Sequence, residues 1–386
     1  MGISSCAGAR ATDIEDAGGD AGPAYDAGTT QAMDAAVDRQ QGETEGGVGD
    51  AGAEPLDGAT FAAPTIVASG QTPAFVAVDT GAVYWSNFEI PPANVSGEGQ
   101  IMECALSGCG GSPVTLWSGL YGVNGLTVSG SSLYWPTGAG PGISSPPLVL
   151  ACSSGGCGSK ATTIAQTEDN IGGFATDSAN AYWTTLAGTI RVCALAGDSG
   201  SPSTLVSQQN GPRGIAVDAT SVYWTNTDDG TIATCAIAGC DGEPTILSTG
   251  RVAPGAIAVS GGRLFWIETG SAVGGGKVPL QEYVGGQVAS CTLPGCGGAP
   301  VVLASYPSWL GGGAIAADEQ RVYWSTEDAA GAFGEIVECS VSGCGGAPTP
   351  IAKTETSKYP TVGLALADQT IYWSDIGAGA ILSLSK

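Results

Sequence analysis

The chain has 386 residues, a formal net charge of −24, no histidine, 63 glycines and only 12% charged residues. The acidity disfavours nucleic acid and anionic membrane surfaces as partners, since both carry negative charge. The missing histidine removes every Ser-His or Cys-His dyad and the commonest metal ligand, and Gly-rich, charge-poor text suits short strands and tight turns better than long helices.

At the start, residues 3–6 read Ile-Ser-Ser-Cys. This resembles the lipobox of bacterial lipoproteins, which implies lipidation of Cys6 and an exported chain, at the cell envelope or surface, that touches membrane through a lipid anchor only. The charged and apolar regions of a signal peptide do not precede it, so either the true start lies upstream of Met1 or the match is chance. Residues 7–60 hold 12 acids and 2 bases among Ala, Gly and Asp. So little large apolar surface cannot offset the entropy of ordering, and the segment is predicted to be a disordered tether. No run of ~18 apolar residues predicts a membrane helix.

From residue 64 the text repeats. An aromatic pair recurs at Tyr84-Trp85, Tyr134-Trp135, Tyr182-Trp183, Tyr223-Trp224, Phe265-Trp266, Tyr323-Trp324 and Tyr372-Trp373. Periods of 41–58 residues point to propeller blades or solenoid arrays. The fourth copy shows four strand signals: residues 214–218, 221–226, 231–237 and 244–248, β-branched or aromatic and bounded by Gly, Asp, Asn or Pro. Four antiparallel strands make one propeller blade. The seventh copy stops after its third strand, and a spare fourth-strand segment stands before copy one at residues 64–68. Joining the two closes a ring and hides the edges an open array would expose. The expectation is an all-β, closed seven-bladed β-propeller of four-stranded antiparallel blades over residues 64–386.

Two of the cleanest copies read Tyr223-Trp224-Thr225-Asn226 and Tyr372-Trp373-Ser374-Asp375, each after a small-apolar strand ending in Asp218 or Asp368. Asp79, Asp177 and Asp318 stand at the same place and are predicted to cap the turn into strand two. The repeat resembles the YWTD propellers of lipoprotein-receptor ectodomains. Those are six-bladed and lack the cysteine pair seen here; the resemblance implies the fold and a binding role but no ligand. One Tyr-Trp per blade predicts packing between neighbouring blades.

Ten of twelve cysteines form five C-x4-C pairs: Cys104/Cys109, Cys152/Cys157, Cys235/Cys240, Cys291/Cys296 and Cys339/Cys344. Each pair is placed after the third strand and before the fourth. One pair per blade cannot complete a four-ligand metal site. A disulfide across the turn between strands three and four is simpler and implies an oxidising compartment. In copy three Asp198 stands where the partner of Cys193 belongs, so Cys193 is expected to be unpaired; a bond to Cys6 competes with lipidation.

The innermost strands offer Asn124 and Arg213 at their starts but no carboxylate cluster, and no cofactor is predicted. Asp228 and Asp229 could hold calcium or simply form a solvated turn. Loop growth falls on one face, at residues 87–99, 137–147 and 268–286. Tyr121, Tyr283, Tyr306, Trp309 and Tyr359 are the aromatics expected there as contact anchors. The reading is a non-catalytic binding or scaffold module for a protein or polysaccharide. The alternatives are an exported hydrolase or lyase acting on a glycan or lactone, and a structural envelope lipoprotein.

Overall fold

The computed structural model describes residues 63–87, 99–120, 123–138, 146–158, 161–167, 169–196, 201–272, 283–296, 299–308, 310, 313–327, 334–354 and 363–386. Residues 3–6, read as lipobox-like, and residues 7–60, expected to be a disordered tether, lie outside them.

Blade four shows how the repeat folds. Pro212–Val217, Ser221–Asn226, Thr231–Ala236 and Thr245–Ser248 pair in that order, antiparallel. Ile, Val, Thr, Tyr and Trp fill them because branched and aromatic chains pack well on a pleated surface. The turn into the third strand ends on Gly230 at φ +67, and a Cβ there would sit 2.1 Å from the Arg251 carbonyl oxygen, so only glycine fits. Six more sheets follow the same plan, each strand pairing with the next from the innermost outward. In the seventh, the two ends of the repeat meet: Thr65–Ser69 is the outer strand beside Ala380–Ser385, beyond Thr370–Asp375 and Leu364–Ala367. The closed seven-bladed propeller is thus the fold. Blade five adds one unforeseen element, Ser271–Ala272, which pairs with the start of Tyr283–Thr292 inside its expanded connection.

Adjacent residues on a strand point to opposite faces of the sheet, so the two aromatics of a pair serve different neighbours. Seven hydrophobic seams result. Tyr372 of blade seven packs with Trp85 of blade one, Tyr84 with Trp135, Tyr134 with Trp183, and Tyr182 with Trp224. The ring continues with Tyr223 and Trp266, Phe265 and Trp324, and Tyr323 and Trp373. All seven Trp side chains are fully buried, at 0% exposure.

The residue after Trp stitches the inner strands. Thr225 Oγ1 accepts the Gly214 N–H within its blade at 2.9 Å and donates to the Gly255 carbonyl of blade five at 2.9 Å. Thr184 does the same from Gly173 to Arg213. The glycines are needed for this approach: a Cβ on Gly173 or Gly214 would lie 2.2 Å from the neighbouring blade's carbonyl oxygen.

Every blade has a register shift between strands three and four. Ile66, Val114, Ile246, Val301 and Val302 are exposed on those outer strands. A bulge twists an apolar edge away from a foreign strand, the usual protection against edge-to-edge pairing.

Five local disulfides pin the same hairpin: Cys104–Cys109, Cys152–Cys157, Cys235–Cys240, Cys291–Cys296 and Cys339–Cys344. The pairing agrees with the sequence reading, but the placement corrects it. The pairs do not stand wholly between strands three and four. The first cysteine of each lies within the third strand, opposite Val83, Leu133, Val222, Leu264 or Val322 of the second. Strand two begins one residue before that Val or Leu, so the ladder still has a rung beyond the cysteine. Only the second cysteine stands in the turn, where Cys157 and Cys296 are buried and Cys109, Cys240 and Cys344 half-buried. Each bond therefore ties the turn to the sheet rather than closing the turn on itself. A loop of five positions contributes about 2 kcal/mol on a chain-entropy account. Replacing Cys235 and Cys240 together by Ala should lower the denaturant midpoint modestly and leave the slope of the transition unchanged.

Cys193 corrects the sequence expectation more deeply. It is disulfide-bonded rather than unpaired, and no described cysteine is free. Its Sγ lies 3.7 Å from the Ile164 carbonyl of blade two's outer strand. Cys104 lies 3.6 Å from the Val67 carbonyl in the same way. Blade three lacks the local bond of the other cysteine-bearing blades but keeps the same buried sulfur slot.

Candidate functional site

The propeller has two unlike ends. One carries the turns from strand one to strand two and from three to four; the other carries the connections from two to three and from four into the next blade. On the second, loop-bearing face the two-to-three connections span 88–98, 137–147, 269–282 and 328–333 in blades one, two, five and six. In blades three, four and seven they are 186–189, 227–230 and 376–379. Long and short connections therefore fall in sectors around the ring: blades one and two, then five and six, separated by three and four on one side and seven on the other.

Of the five aromatics expected on this face, Tyr121, Trp309 and Tyr359 lie outside the described residues. Tyr283 opens the third strand of blade five. Tyr306 ends up half-buried against the seam between blades five and six, and its hydroxyl accepts the Trp324 indole N–H at 2.9 Å. Burial raises its phenol above the ordinary tyrosine range.

That contact belongs to a series missed in the sequence. Gln71 Oε1 accepts from Asn87 Nδ2 at 2.8 Å and lies 3.4 Å from the Trp85 indole nitrogen, which also donates to Asn87 Oδ1. Gln209 Oε1 accepts from Trp224 at 2.9 Å and Asn226 at 3.0 Å. In blade five Glu268, 2% exposed, accepts from Trp266, Arg251 and the Val252 N–H. Glu268 thus ties the connection to the core through three donors. These acceptors root the loop-bearing face to the tryptophan ring.

Between the long sectors, blades three and four present a low floor. Leu186 is 60% exposed there, and Arg213 is exposed. Asp229 is used by its own turn: Oδ1 accepts from Thr231 N and Oγ1, and Oδ2 from Asn210 Nδ2 at 2.8 Å. Asp228 presses on Gly211, where a Cβ would come within 2.6 Å of the carboxylate. Asn124 binds the Ile171 carbonyl across the blade two–three boundary. Among the described residues no three His, Cys, Asp or Glu side chains gather as a metal site.

The turn-bearing face repeats one device. Asp79, Asp177, Asp218 and Asp318 each use Oδ1 to accept the N–H groups two and three residues on. In the first three blades of that set Oδ2 also accepts the hydroxyl of the tyrosine five residues on: Tyr84, Tyr182 and Tyr223, each at 2.9 Å. Burial alone would raise Asp218, but the donors from Thr220, Tyr223 and Ser221 outweigh it and hold the carboxyl below its ordinary value. Blade five has Ser260 and Phe265 at these two positions, so the acid and the hydroxyl are missing together. In blade six Asp318 Oδ2 takes Lys386 Nζ instead, at 3.0 Å.

Burial, then the Asp79 bond, pushes Tyr84 up to about 12; burial and Asp218 do the same for Tyr223, to about 12. Burial and the Asp318 charge lift Tyr323 to about 12, and burial with Asp177 raises Tyr182 further. Free tyrosine ionises near 10. Stability is thus full below pH ~10 and lost as pH rises toward about 12, because the unfolded chain releases phenolic protons that the folded chain retains. Urea midpoints should fall steeply through that window, and Tyr84→Phe with Tyr223→Phe should flatten the fall.

No protein-family model and no curated protein matches the chain. Among solved structures, a streptogramin B lyase is similar: 14% identity, 82% of this chain and 94% of that one covered, TM-score 0.56. The tricorn protease matches at 12% identity over 86% of this chain and 34% of its own, TM-score 0.52. A nidogen–laminin complex matches at 16% identity over 76% and 96%, TM-score 0.48. At such identities the lyase and the protease show a shared fold alone, and the chain stands as a seven-bladed β-propeller similar to them in architecture.

Proposed function

We propose that the chain is an exported, non-catalytic recognition module that captures a protein or a polysaccharide on its loop-bearing face. The observation that carries this reading is the contrast between the faces. One face keeps its strand-one-to-two turns short and caps four of them with an Asp, at 79, 177, 218 and 318, while the other grows connections of unequal length in two sectors. Rigid scaffolds acquire recognition surfaces in this way. Tyr121, Tyr283 and Tyr359 with Trp309 would be the contact anchors, and Tyr306 would hold the sector between blades five and six in place. The Trp-Thr and Trp-Ser stitching supports a YWTD-type ancestry for the repeat.

Export is supported by the five local disulfides, which persist in oxidising compartments. The cell envelope or surface is where such a module would act. Thr65–Ser69 begins at the turn-bearing face, opposite the loops.

The test is binding to arrays of envelope polysaccharides and surface proteins. Replacing residues 271–284 by a Gly-Ser turn together with Trp309→Ala should weaken capture at least ~10-fold, the scale of one lost anchor of over 1 kcal/mol. Substitutions on the opposite turns, such as Thr220→Ala, should leave it unchanged. The reverse pattern would place the site on the other face. Turnover of a glycan or lactone that disappears in Arg213→Ala would overturn the non-catalytic reading.

A further inference from the structure

We propose that a recess at the boundary of blades two and three, on the turn-bearing face, binds one neutral pyranose unit of a glycan, with the Tyr134 hydroxyl as its anchor. The site goes beyond the capture proposed for the loop-bearing face and does not depend on it.

Tyr134 departs from its series. In blades one, three and four the hydroxyl of Tyr84, Tyr182 or Tyr223 donates to the Asp five residues before it. Blade two has Ser129 at that position, and Ser129 Oγ is used elsewhere: it donates to the Asp177 carbonyl of blade three at 2.8 Å. Tyr84 is also reached by Ser154 of blade two. The counterpart of Ser154 in blade three, two residues beyond the third-strand cysteine in each, is Leu195. Both kinds of partner are therefore missing at Tyr134, which makes no hydrogen bond among the described residues. Blade five, by contrast, lacks acid and hydroxyl together, with Ser260 and Phe265. A hydroxyl kept without its acceptor is left for water or a ligand.

The hydroxyl has somewhere to meet one. Tyr134 is 7% exposed, and with residues 178–180 and 194–196 it lines a recess of about 580 Å³, within the range of small-molecule sites. Tyr323 likewise has a hydroxyl without a hydrogen bond, but that oxygen is sealed from solvent.

The walls select the class of ligand. No charged side chain lines the recess. The neighbouring Asp177 is committed: Oδ1 accepts the N–H groups of Ala179 and Asn180, and Oδ2 the Tyr182 hydroxyl. A charged ligand would lose hydration there without gaining a counter-ion. Asn180 Nδ2 donates to the Tyr182 hydroxyl at 3.1 Å, and its Oδ1 takes no donor among the described residues. Ser178 is exposed and adds a hydroxyl. Half-buried Leu195, with Ala179, Ala194 and Ala196, supplies an apolar wall. A few hydroxyl and amide groups beside a small apolar surface suit a neutral pyranose, whose hydroxyls donate and accept and whose C–H face takes apolar contact. The formal net charge of −24 disfavours a polyanionic glycan as well.

The full chain, titrated with the methyl glycosides of glucose, galactose, mannose and N-acetylglucosamine and with glucuronate, tests the site by saturation-transfer NMR and calorimetry. At least one neutral glycoside should bind saturably, and glucuronate should not. Tyr134→Phe should weaken binding about two- to tenfold, the scale of one hydrogen bond. It should leave the urea midpoint unchanged, whereas Tyr223→Phe lowers it. Ser129→Asp restores the acceptor of the other blades and should weaken binding by tying the hydroxyl down. Arg213→Ala, on the other face, should alter nothing here. No saturable binding by any glycoside at its solubility limit overturns the proposal, and so does a lowered midpoint for Tyr134→Phe, which would give the hydroxyl an internal partner. Equal binding of glucuronate removes the neutral class. Saturable binding of indole and of no glycoside would make the recess a socket for a protein side chain instead. Binding lost in Arg213→Ala but kept in Tyr134→Phe would move the sugar to the loop-bearing face, so that this site fails while the capture reading stands.

Discussion

Trp224→Ala is expected to destabilise the propeller by about 3–5 kcal/mol, the range for deleting a fully buried aromatic side chain. Trp224 is 0% exposed, and it fills the seam between blades three and four with Tyr182, Ile190, Val192 and Val222 around it. Neighbouring sheets cannot collapse into the vacated space, because Gly173 already sets the inner strands of blades three and four at their closest approach. The indole N–H also holds Gln209, and with it the connection into blade four's first strand. Trp224→Phe should cost less, since Gln209 keeps its Asn226 bond and most of the ring volume remains. Tyr223→Phe removes one hydrogen bond to Asp218 and should cost about 1 kcal/mol. Urea unfolding of the three variants should rank them in that order. Equal costs for Trp224→Ala and Tyr223→Phe would mean that the seams do not dominate stability.

The fold was legible because its determinants recur at fixed offsets. Adjacent aromatics in a strand must face opposite ways, so Tyr-Trp in every copy already encodes a closed ring of seams. An Asp stands five residues before Tyr at 79/84, 177/182 and 218/223, where the bond forms, but also at 318/323, where Lys386 takes the carboxylate instead, so the spacing alone does not decide the bond. Blade seven departs because Asp368 precedes Tyr372 by four, not five. The indole acceptors were not legible, for a physical reason. Gln71 lies 14 residues before Trp85, Gln209 15 before Trp224, Tyr306 18 before Trp324, and Glu268 two after Trp266. The first three are delivered by connections of different length, so only the three-dimensional path reveals their common role, while Glu268 ends the strand that carries Trp266. The Cys193 bond was hidden because a missing local partner reads as a free thiol.

Deleting residues 64–69 is expected to open the ring. Val67 and Ala68, 4% and 1% exposed, leave the seam that joins blade seven to Trp85, Met102 and Cys104 of blade one. Their strand also caps Ala380–Ser385, whose backbone then becomes an unprotected apolar edge bearing Ile381 and Leu382. Losing two buried aliphatic positions and a ladder should lower stability by roughly 3 kcal/mol or more and make the protein prone to self-association. Chain connectivity as such is not what the segment provides. Moving residues 64–69 to follow Lys386, through a linker as long as the 237–244 connection of blade four, puts them in the strand-three-to-strand-four order of the other blades. The relocated strand would meet Ala380–Ser385 in the same antiparallel sense, with Thr65 near Ser383 and Ser69 near Ala380. This rearranged chain should regain the cooperative transition and midpoint of the original, and elute with the original chain on size-exclusion chromatography. If the deletion unfolds at the original midpoint, the terminal strand does not close the ring. If the rearranged chain folds but stays as weak as the deletion, the stabilisation comes from tying the two chain ends together rather than from completing the seventh sheet.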